Sequence, residues 1–162
     1  MRLRAAVVGG GIGGLSAACA LSRRGVEVTV FEQADVLGEI GAGVSIFPNA
    51  LRQLERMGMG PALAKVGARI GEASQYCRSD GTKVGTVITT DSSGWNGLYG
   101  MHRADLLNVL AANLPGEFVR TGHRCVGFEQ SASAARLTFA NGETAEADVV
   151  IAADGIHSAL QK

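Results

Sequence analysis

A run of glycines between two apolar segments near the N-terminus constrains this chain more than any other feature. The stretch reads VVGGGIGGLSAA and contains the pattern G-x-G-x-x-G. Three glycines fill that pattern: Gly9, Gly11 and Gly14. Residues 3–8 are apolar apart from Arg4, as in a buried parallel strand, and residues 12–24 predict a helix of mostly small and apolar side chains. With a second strand predicted at residues 26–31, the sequence indicates a β-strand, helix, β-strand unit.

Each glycine of the pattern meets a separate requirement of a dinucleotide site. Gly9 permits a tight turn from strand to helix, Gly11 leaves room for a pyrophosphate, and Gly14 lets the helix pack closely on the strand. The helix N-terminus offers free N–H groups and the positive end of a dipole to phosphates. Glu32 lies 18 residues after Gly14, at the end of the second strand, where a carboxylate accepts a hydrogen bond from a ribose 2′-hydroxyl and disfavours a 2′-phosphate. The pattern therefore favours FAD or NAD over NADP.

A secretory signal peptide is the competing interpretation of the same stretch. A basic start precedes the apolar run, and small residues from Ala18 to Ala20 resemble a cleavage site. However, glycine is so dense in this run that it would make a poor apolar helix. Cleavage after Ala20 would also divide the predicted unit. We reject the signal peptide and expect a cytoplasmic protein.

Charge and cysteine content exclude several classes of protein. The chain has 15 basic and 15 acidic residues, so nothing in its charge favours nucleic acid or an anionic membrane as a partner. No apolar run reaches the length of a membrane-spanning helix. The three cysteines, Cys19, Cys77 and Cys125, are far apart and form no C-x-x-C motif. We expect free thiols and no metal site, which also argues against a disulfide-type flavin reductase.

Beyond the first unit the pattern changes from α/β to antiparallel strands. A glycine-rich loop is predicted at residues 38–44, a helix at 48–57, two strands around an Asp80-Gly81 turn, and an amphipathic helix at 103–114. Further strands are predicted at residues 117–121, 123–130, 135–140 and 143–152. An NAD-binding dehydrogenase would instead continue through regular βαβ repeats.

Three later stretches closely resemble the single-component FAD-dependent aromatic-ring hydroxylases. They read GEIGAGVSIFPNALRQLERMG, YGMHRADLLNVL and ADVVIAADGIHSAL. This flavoprotein monooxygenase family includes the 4-hydroxybenzoate, salicylate and hydroxynicotinate hydroxylases. The resemblance implies an α/β, Rossmann-like FAD-binding fold with a parallel sheet, inserted antiparallel strands and an incomplete substrate-domain sheet. It implies a dinucleotide-binding part at residues 1–68 and 102–162, a meander near 117–147, and the first substrate-domain strands at 69–101.

The resemblance also implies which residues bind the cofactor, and it assigns no catalytic side chain. The glycine turn, with Ile12 and Gly13, would bind the FAD pyrophosphate, and Glu32 with Gln33 would bind the adenosine ribose. Gly41 to Ser45 resemble the loop that passes beside the flavin.

Three further positions match the family later in the chain. Arg103 corresponds to an arginine that reaches FAD near its phosphates and ribityl chain, for which a guanidinium is well suited. Cys125 and Val126 match a strand that meets the adenine. Asp154-Gly155 resemble a second fingerprint, implicated in FAD and NADPH binding. Trp95 lies in a predicted loop or lid.

The activity implied is hydroxylation of a small aromatic substrate through a flavin hydroperoxide, with NADPH or NADH as the co-substrate. In such enzymes the flavin carries the chemistry, while the protein orients it and excludes water. Epoxidation and halogenation stay open at this point. So do a NAD-binding dehydrogenase or regulatory module and a non-catalytic remnant.

The chain departs from the family in length and at its end. Family members run to more than twice this length, with a later Gly-Asp motif and most of the substrate-binding sheet. Where they read Ser-x-Val-Arg, Ser158 is followed here by Ala-Leu-Gln. We expect an N-terminal fragment that binds FAD weakly or not at all and hydroxylates nothing by itself. Exposed apolar edges favour its self-association or a homo-oligomer.

Overall fold

The computed structural model describes residues 2–37, 42–71 and 74–160, so Gly41 of the predicted flavin loop lies outside the described residues. The strands are β1 (Arg4–Val8), β2 (Glu27–Phe31), β3 (Gly43–Ile46), β4 (Ala68–Arg69), β5 (Gln75–Cys77), β6 (Lys83–Thr86), β7 (Tyr99–His102), β8 (Val119–Arg120), β9 (Cys125–Gln130), β10 (Ala135–Phe139), β11 (Thr144–Ala147) and β12 (Val149–Ala152). The helices are α1 (Ile12–Ser22), α2 (Pro48–Arg56), α3 (Gly60–Val66) and α4 (Arg103–Ala112). A short 3-10 helix, Gly116–Phe118, precedes β8.

The chain forms two compact units. The first consists of Met1–Ile40 and Leu107–Lys162, and the second of Gly41–Leu106. The first unit contains a four-stranded sheet in the order β12-β1-β2-β8, in which every neighbouring pair is parallel. Since β1 has one parallel neighbour on each side, the carboxyl end of β1 is where strand order reverses, the usual ligand position in such sheets.

Both faces of this parallel sheet are covered within the first unit. Alternate residues of β1 explain how: the Val7 side chain lies on the α1 side, whereas Ala6 and Val8 pack in a core with residues of the antiparallel strands. That core holds Ala6, Val8, Phe31, Cys125, Leu137, Phe139 and Ala147. Burial on both faces is the physical reason why residues 5–8 are apolar without alternation.

An antiparallel sheet in the order β11-β10-β9 forms the other layer. The Asn141-Gly142 turn joins β10 to β11, and Gly142 has φ +87° as a tight hairpin requires. One register shift interrupts the pairing of β9 with β10, where Cys125 pairs with Phe139 and Gly127 pairs with Thr138. Val126 is thus the extra residue of a β-bulge, a feature that changes the direction of a side chain.

The second unit contains an antiparallel sheet, β3-β7-β4, and a separate hairpin of β5 and β6. Its core is formed by apolar side chains of α2, α3 and β7, with Leu98. The Trp95 ring packs against Gly97. A Cβ built on Gly97 would lie only 2.6 Å from the nearest atom of that ring. Trp95 therefore has a packing role in this unit, in a loop that Asp91 closes by accepting the Trp95 backbone N–H at 3.1 Å.

The predicted α/β fold with a parallel sheet and added antiparallel strands is confirmed. Two local predictions are wrong, and one helix was missed. A strand begins at Gly43 where a loop was expected, and α3 was not foreseen. The single strand expected at 143–152 is divided at Asp148, where the chain leaves the antiparallel sheet and joins the parallel one. The Asp148 carboxylate accepts the Arg4 backbone N–H at 2.8 Å, which fixes that change of sheet.

Candidate functional site

The glycine turn is compressed between three elements of the first unit. Gly9 has φ +109°, and its N–H donates to the Phe31 carbonyl at 2.8 Å. A Cβ on Gly9 would lie 2.3 Å from the carbonyl oxygen of Ala153, just after β12. A Cβ on Gly14 would lie 1.9 Å from the Gly9 carbonyl oxygen. The sequence explained the turn and the helix contact, but the closeness of β12 to Gly9 comes from the tertiary fold.

The N-terminus of α1 is open to an anion. Gly11 is the N-cap and supplies no side-chain hydrogen bond, and the first turn carries no acidic residue. The first N–H groups of a helix have no acceptor within it, so this turn presents unpaired donors. Gly13 is exposed, and a Cβ built on it meets nothing within 4 Å. Ile12, the first residue of the helix, is half-buried between these two glycines.

The Glu32 carboxylate closes the other side of the turn. Its Oε2 accepts the Gly10 backbone N–H at 2.6 Å, and its Oε1 accepts the Ala34 backbone N–H at 2.9 Å. Each carboxylate oxygen keeps a further acceptor position, which suits a ribose hydroxyl. Gln33 beside it is exposed. Glu32 therefore has a second role that the spacing alone did not reveal, because it also fixes the glycine turn.

A connection between β8 and β9 holds the backbone around Glu32, and the sequence interpretation missed it. The Glu32 N–H donates to the Arg120 carbonyl, and the His123 N–H donates to the Glu32 carbonyl, each at 2.8 Å. The Gly122 N–H donates to the Ala34 carbonyl at 2.9 Å. We call residues 120–123 the bracket. Its one sequence signal is Gly122, which has φ +68°.

Asp154 follows β12 at the same end of the parallel sheet as the glycine turn. Its Oδ2 accepts the Ala159 N–H at 2.8 Å, whereas its Oδ1 is buried and has no hydrogen-bond partner. A buried carboxylate oxygen without a donor is costly, so this atom suits a hydroxyl or N–H group of a ligand. Burial is the largest influence on the Cys125 thiol and raises its pKa. A backbone hydrogen bond with Gly127 lowers the pKa by less, and the Asp154 charge raises it slightly further.

The remaining predicted residues divide between the two units. Cys125 is buried in the first unit, and Val126 at the bulge has half of its surface exposed. Ser45 and Arg103 belong to the second unit. Ser45 is exposed on β3 and pairs with Gly100, and the Arg103 N–H donates to the Ala42 carbonyl at 3.2 Å. The structure thus brings together the glycine turn, Glu32 and Asp154 within one unit.

Two absences hold for the part of the chain that the structure describes. No group of three or more His, Cys, Asp or Glu side chains is arranged to hold a metal ion there. No helix in residues 2–37, 42–71 and 74–160 is long and apolar enough to cross a membrane. The three cysteines are free, with Cys77 exposed and the other two buried.

Comparisons with known proteins agree with this geometry. A family model described as FAD binding domain matches residues 2–162. The chain is 38% identical to 3-amino-4-hydroxybenzoate 2-monooxygenase of Streptomyces cremeus over 99% of its own length and 41% of that enzyme's. It is 36% identical to a salicylate hydroxylase of Pseudomonas putida, over 98% of this chain and 37% of the enzyme.

Among solved structures, a variant of Klebsiella pneumoniae HpxO complexed with FAD is similar. Its TM-score is 0.80 at 28% sequence identity, covering 98% of this chain and 41% of that one. The chain thus spans about two-fifths of the length of the relatives that it matches. The family match over residues 2–162, with the open helix N-terminus and the acidic residue beside it, shows that this chain belongs to the FAD-binding domain family.

Proposed function

We propose that this chain is the FAD-binding part of a NAD(P)H-dependent flavin monooxygenase that hydroxylates a small aromatic substrate. The observation that carries the proposal is the glycine turn, where an open helix N-terminus and the fixed Glu32 carboxylate meet at the carboxyl end of β1. The relatives named as monooxygenases and hydroxylases support the reaction class. Bound FAD would supply acceptance of a hydride from NAD(P)H and activation of dioxygen.

The residues of this chain fit the adenosine and pyrophosphate end of FAD. The unpaired N–H groups at the start of α1 would bind phosphate oxygens, and the absent side chain at Gly13 leaves them accessible. Glu32 would accept hydroxyl groups of the ribose. The unpaired Asp154 oxygen would accept a further hydroxyl or N–H donor. Ser45 and Arg103, on the second unit, stay proposed contacts to the remainder of the cofactor.

Titration of the purified chain with ADP and FAD, followed by calorimetry, tests the cofactor assignment. We expect ADP and FAD to bind with similar, weak affinity, because the first unit carries the residues for the moiety that both share. Glu32→Gln should weaken binding, since an amide cannot accept from every donor that the carboxylate serves. Glu27→Gln is the matched control, because Glu27 is an exposed acidic residue at the opposite end of β2.

Three results would contradict the cofactor assignment. Binding of NAD⁺ in preference to FAD would favour the dehydrogenase or regulatory module. Tighter binding of 2′,5′-ADP than of ADP would contradict the assigned role of Glu32. Equal affinities in Glu32→Gln and Glu27→Gln would remove Glu32 from the site altogether.

We also propose that the isolated chain does not hydroxylate a substrate. Support comes from its span of about two-fifths of the relatives' length. Absorbance at 340 nm would follow NADPH or NADH consumption with FAD present, with and without salicylate. We expect no stimulation by the aromatic compound. A stoichiometric yellow complex with substrate-dependent NADPH oxidation would refute the proposal.

Self-association through the outer edge of β12 is a further part of the proposal. No strand among the described residues pairs with that edge. A groove of about 380 Å³ runs beside it, and Phe128, Val149 and Leu160 contribute apolar surface to its lining. An unpaired strand edge with apolar neighbours is a template for pairing with another chain. A second copy of this chain offers the same edge.

A further inference from the structure

We propose that Gly122 is a positioning residue for the nucleotide site, and that its left-handed backbone lets the bracket hold the Glu32 carboxylate where it accepts a ribose hydroxyl. The inference rests on the proposed function only for the identity of the ligand. The bracket and its hydrogen bonds belong to the first unit of the described structure. Gly122 takes no part in the cofactor contacts proposed above.

The bracket begins where the pairing of β8 with β2 ends. β8 is the last strand in the order β12-β1-β2-β8, and its final residue, Arg120, lies opposite Phe31. The next bond joins the Glu32 N–H to the Arg120 carbonyl at 2.8 Å. Beyond Arg120 the chain turns, so that the His123 N–H also reaches Glu32 and donates to its carbonyl at 2.8 Å. Both backbone polar groups of Glu32 are thus bonded to the bracket.

Gly122 makes the turn that brings both of these bonds to one residue. Its φ of +68° is a left-handed conformation that residues with a side chain rarely adopt. Because Gly122 lies between the two residues that bond Glu32, its φ determines where the second donor points. Its own N–H donates to the Ala34 carbonyl at 2.9 Å and adds a third bond to the same segment. A Cβ on Gly122 would lie 3.4 Å from Oδ1 of Asp35, an ordinary contact, so the backbone conformation rather than the available space requires glycine.

Both ends of the bracket also contact the ring of Phe31. The Arg120 guanidinium lies over that ring, 6.0 Å from its centroid. The His123 side chain is 13% exposed, and its ring centroid lies 5.6 Å from that of Phe31 and 5.1 Å from that of Phe139. Phe31 and Phe139 belong to the core between the two sheets of the first unit. The bracket is therefore held to the core, and the backbone of Glu32 is held to the bracket.

The position of the Glu32 carboxylate depends on this support. Its Oε2 accepts the Gly10 N–H at 2.6 Å, and its Oε1 accepts the Ala34 N–H at 2.9 Å. Ala34 is in turn fixed at its carbonyl by Gly122. Loss of the turn at Gly122 would free the backbone of Glu32 and Ala34, and the carboxylate would no longer be held beside the Gly10 N–H. A ribose hydroxyl would then lose a preorganised acceptor, and ordering that acceptor again on binding costs affinity.

Three variants separate the bracket from backbone strain in general. Gly122→Pro removes the N–H donor to Ala34 and cannot adopt the positive φ, because the proline ring fixes φ at about −65°. Gly25→Pro is the matched control. Gly25 also has a positive φ, +79°, and donates its N–H to the Ser22 carbonyl at 3.0 Å, but it lies before β2, at the opposite end of that strand from Glu32. Gly122→Asn keeps the N–H and tolerates the left-handed conformation, so it should retain the bracket.

Hydrogen exchange of the Gly10 and Ala34 amides reports the position of the Glu32 carboxylate without any ligand. The Ala153 amide, which donates to the Val8 carbonyl at 2.8 Å, serves as the reference. We expect Gly122→Pro to lower the protection of the Gly10 and Ala34 amides by about tenfold, the size of one hydrogen bond to a charged group. Gly25→Pro and Gly122→Asn should leave their protection unchanged relative to the reference. Equal protection of the Gly10 amide in wild type and Gly122→Pro would overturn the inference.

Calorimetric titration of the same proteins with ADP and 2′-deoxy-ADP links the bracket to the nucleotide site. Wild type should prefer ADP by about tenfold, because only ADP offers a 2′-hydroxyl to the fixed carboxylate. Gly122→Pro should lose this preference through weaker binding of ADP alone, and Gly25→Pro should keep it. A wild type with no preference, or an equal loss for both ligands in Gly122→Pro, would overturn the positioning role.

The two measurements also separate this inference from the proposed function. A wild type that binds neither nucleotide, while its Gly10 amide responds to Gly122→Pro as expected, would defeat the proposed function and leave the role of the bracket standing. If Gly122→Pro does not fold, Gly122→Ala decides the same comparisons against Gly25→Ala, because both place a Cβ at a positive φ without a close contact.

Discussion

Two neighbouring glycines in the first turn of α1 should respond oppositely to the same substitution. In Gly14→Ala, the new Cβ would lie 1.9 Å from the Gly9 carbonyl oxygen and 3.3 Å from Cγ1 of Val7. Cβ atoms essentially never approach another atom closer than 3.0 Å, so the helix must move away from β1 by roughly 1 Å. In Gly13→Ala, the new Cβ meets nothing within 4 Å.

The expected magnitudes follow from these distances. Overpacking in a close-packed region costs about 1–3 kcal/mol, and the opposing atom here is backbone that cannot rotate away, so Gly14→Ala belongs at about 3 kcal/mol or above. For a chain of this size, each kcal/mol lowers the Tm by about 2–4 °C. Gly13→Ala should be neutral or stabilising by up to about 1 kcal/mol, because alanine is the better helix former.

Urea unfolding followed by far-UV circular dichroism measures both variants against wild type. Equal m values would show that the compared states are the same, so the midpoints would report stability alone. An unchanged midpoint in Gly14→Ala would refute the close contact between the helix and the turn. A loss in Gly13→Ala as large as in Gly14→Ala would refute the openness of the helix N-terminus.

Three further predictions test other parts of the first unit. The Arg4 backbone N–H and guanidinium lower the pKa of Asp148 in the folded protein. The Asp148 carboxylate therefore contributes stability above the ordinary aspartate pKa of about 3.9, and this contribution is lost as the pH falls through the lower pKa of the folded state. Asp148→Asn should flatten the dependence of the urea midpoint on acid pH, and an unchanged slope would contradict this. Val149→Lys should reduce self-association measured by light scattering, whereas Val36→Lys, an exposed valine outside the strands, should not. Gly142→Ala, at φ +87°, should lose about 1–2 kcal/mol of unfolding free energy, and Gly142→Asn should lose less; equal losses would argue against backbone strain as the cause.

Local patterns were sufficient for much of the fold. The helix at residues 103–114 was predicted from Leu106 and Leu110 at helical spacing, and both are buried in α4. The Asn141-Gly142 turn was predicted from the dipeptide itself, because its backbone requirement is local. The division at Asp148 was not predictable in the same way. Residues 143–152 are suited to strand structure throughout, and only the bonds to Arg4 decide where one sheet ends and another begins.

The candidate site was also predicted only in part from the sequence. The glycine pattern and its spacing to Glu32 predicted a dinucleotide site, since that spacing is fixed by one short unit of strand, helix and strand. The second function of Glu32, as acceptor for Gly10 and Ala34, depends on how the turn closes in space. The unpaired oxygen of Asp154 likewise depends on burial that no local pattern reports.

The sequence by itself determined the βαβ unit, the class of cofactor and the family resemblance, because periodicity, glycine positions and short spacings act over neighbouring residues. Only the tertiary structure decided that β12 lies against Gly9, that residues 120–123 hold Glu32, and that His123 lies between two acceptors. The contacts of β12 with Gly9 and of residues 120–123 with Glu32 join residues about 90 to 145 positions apart, so they form only when the sheets pack and no local pattern reports them. The contact of His123 with Glu143 spans 20 positions and depends on the pairing of the antiparallel strands.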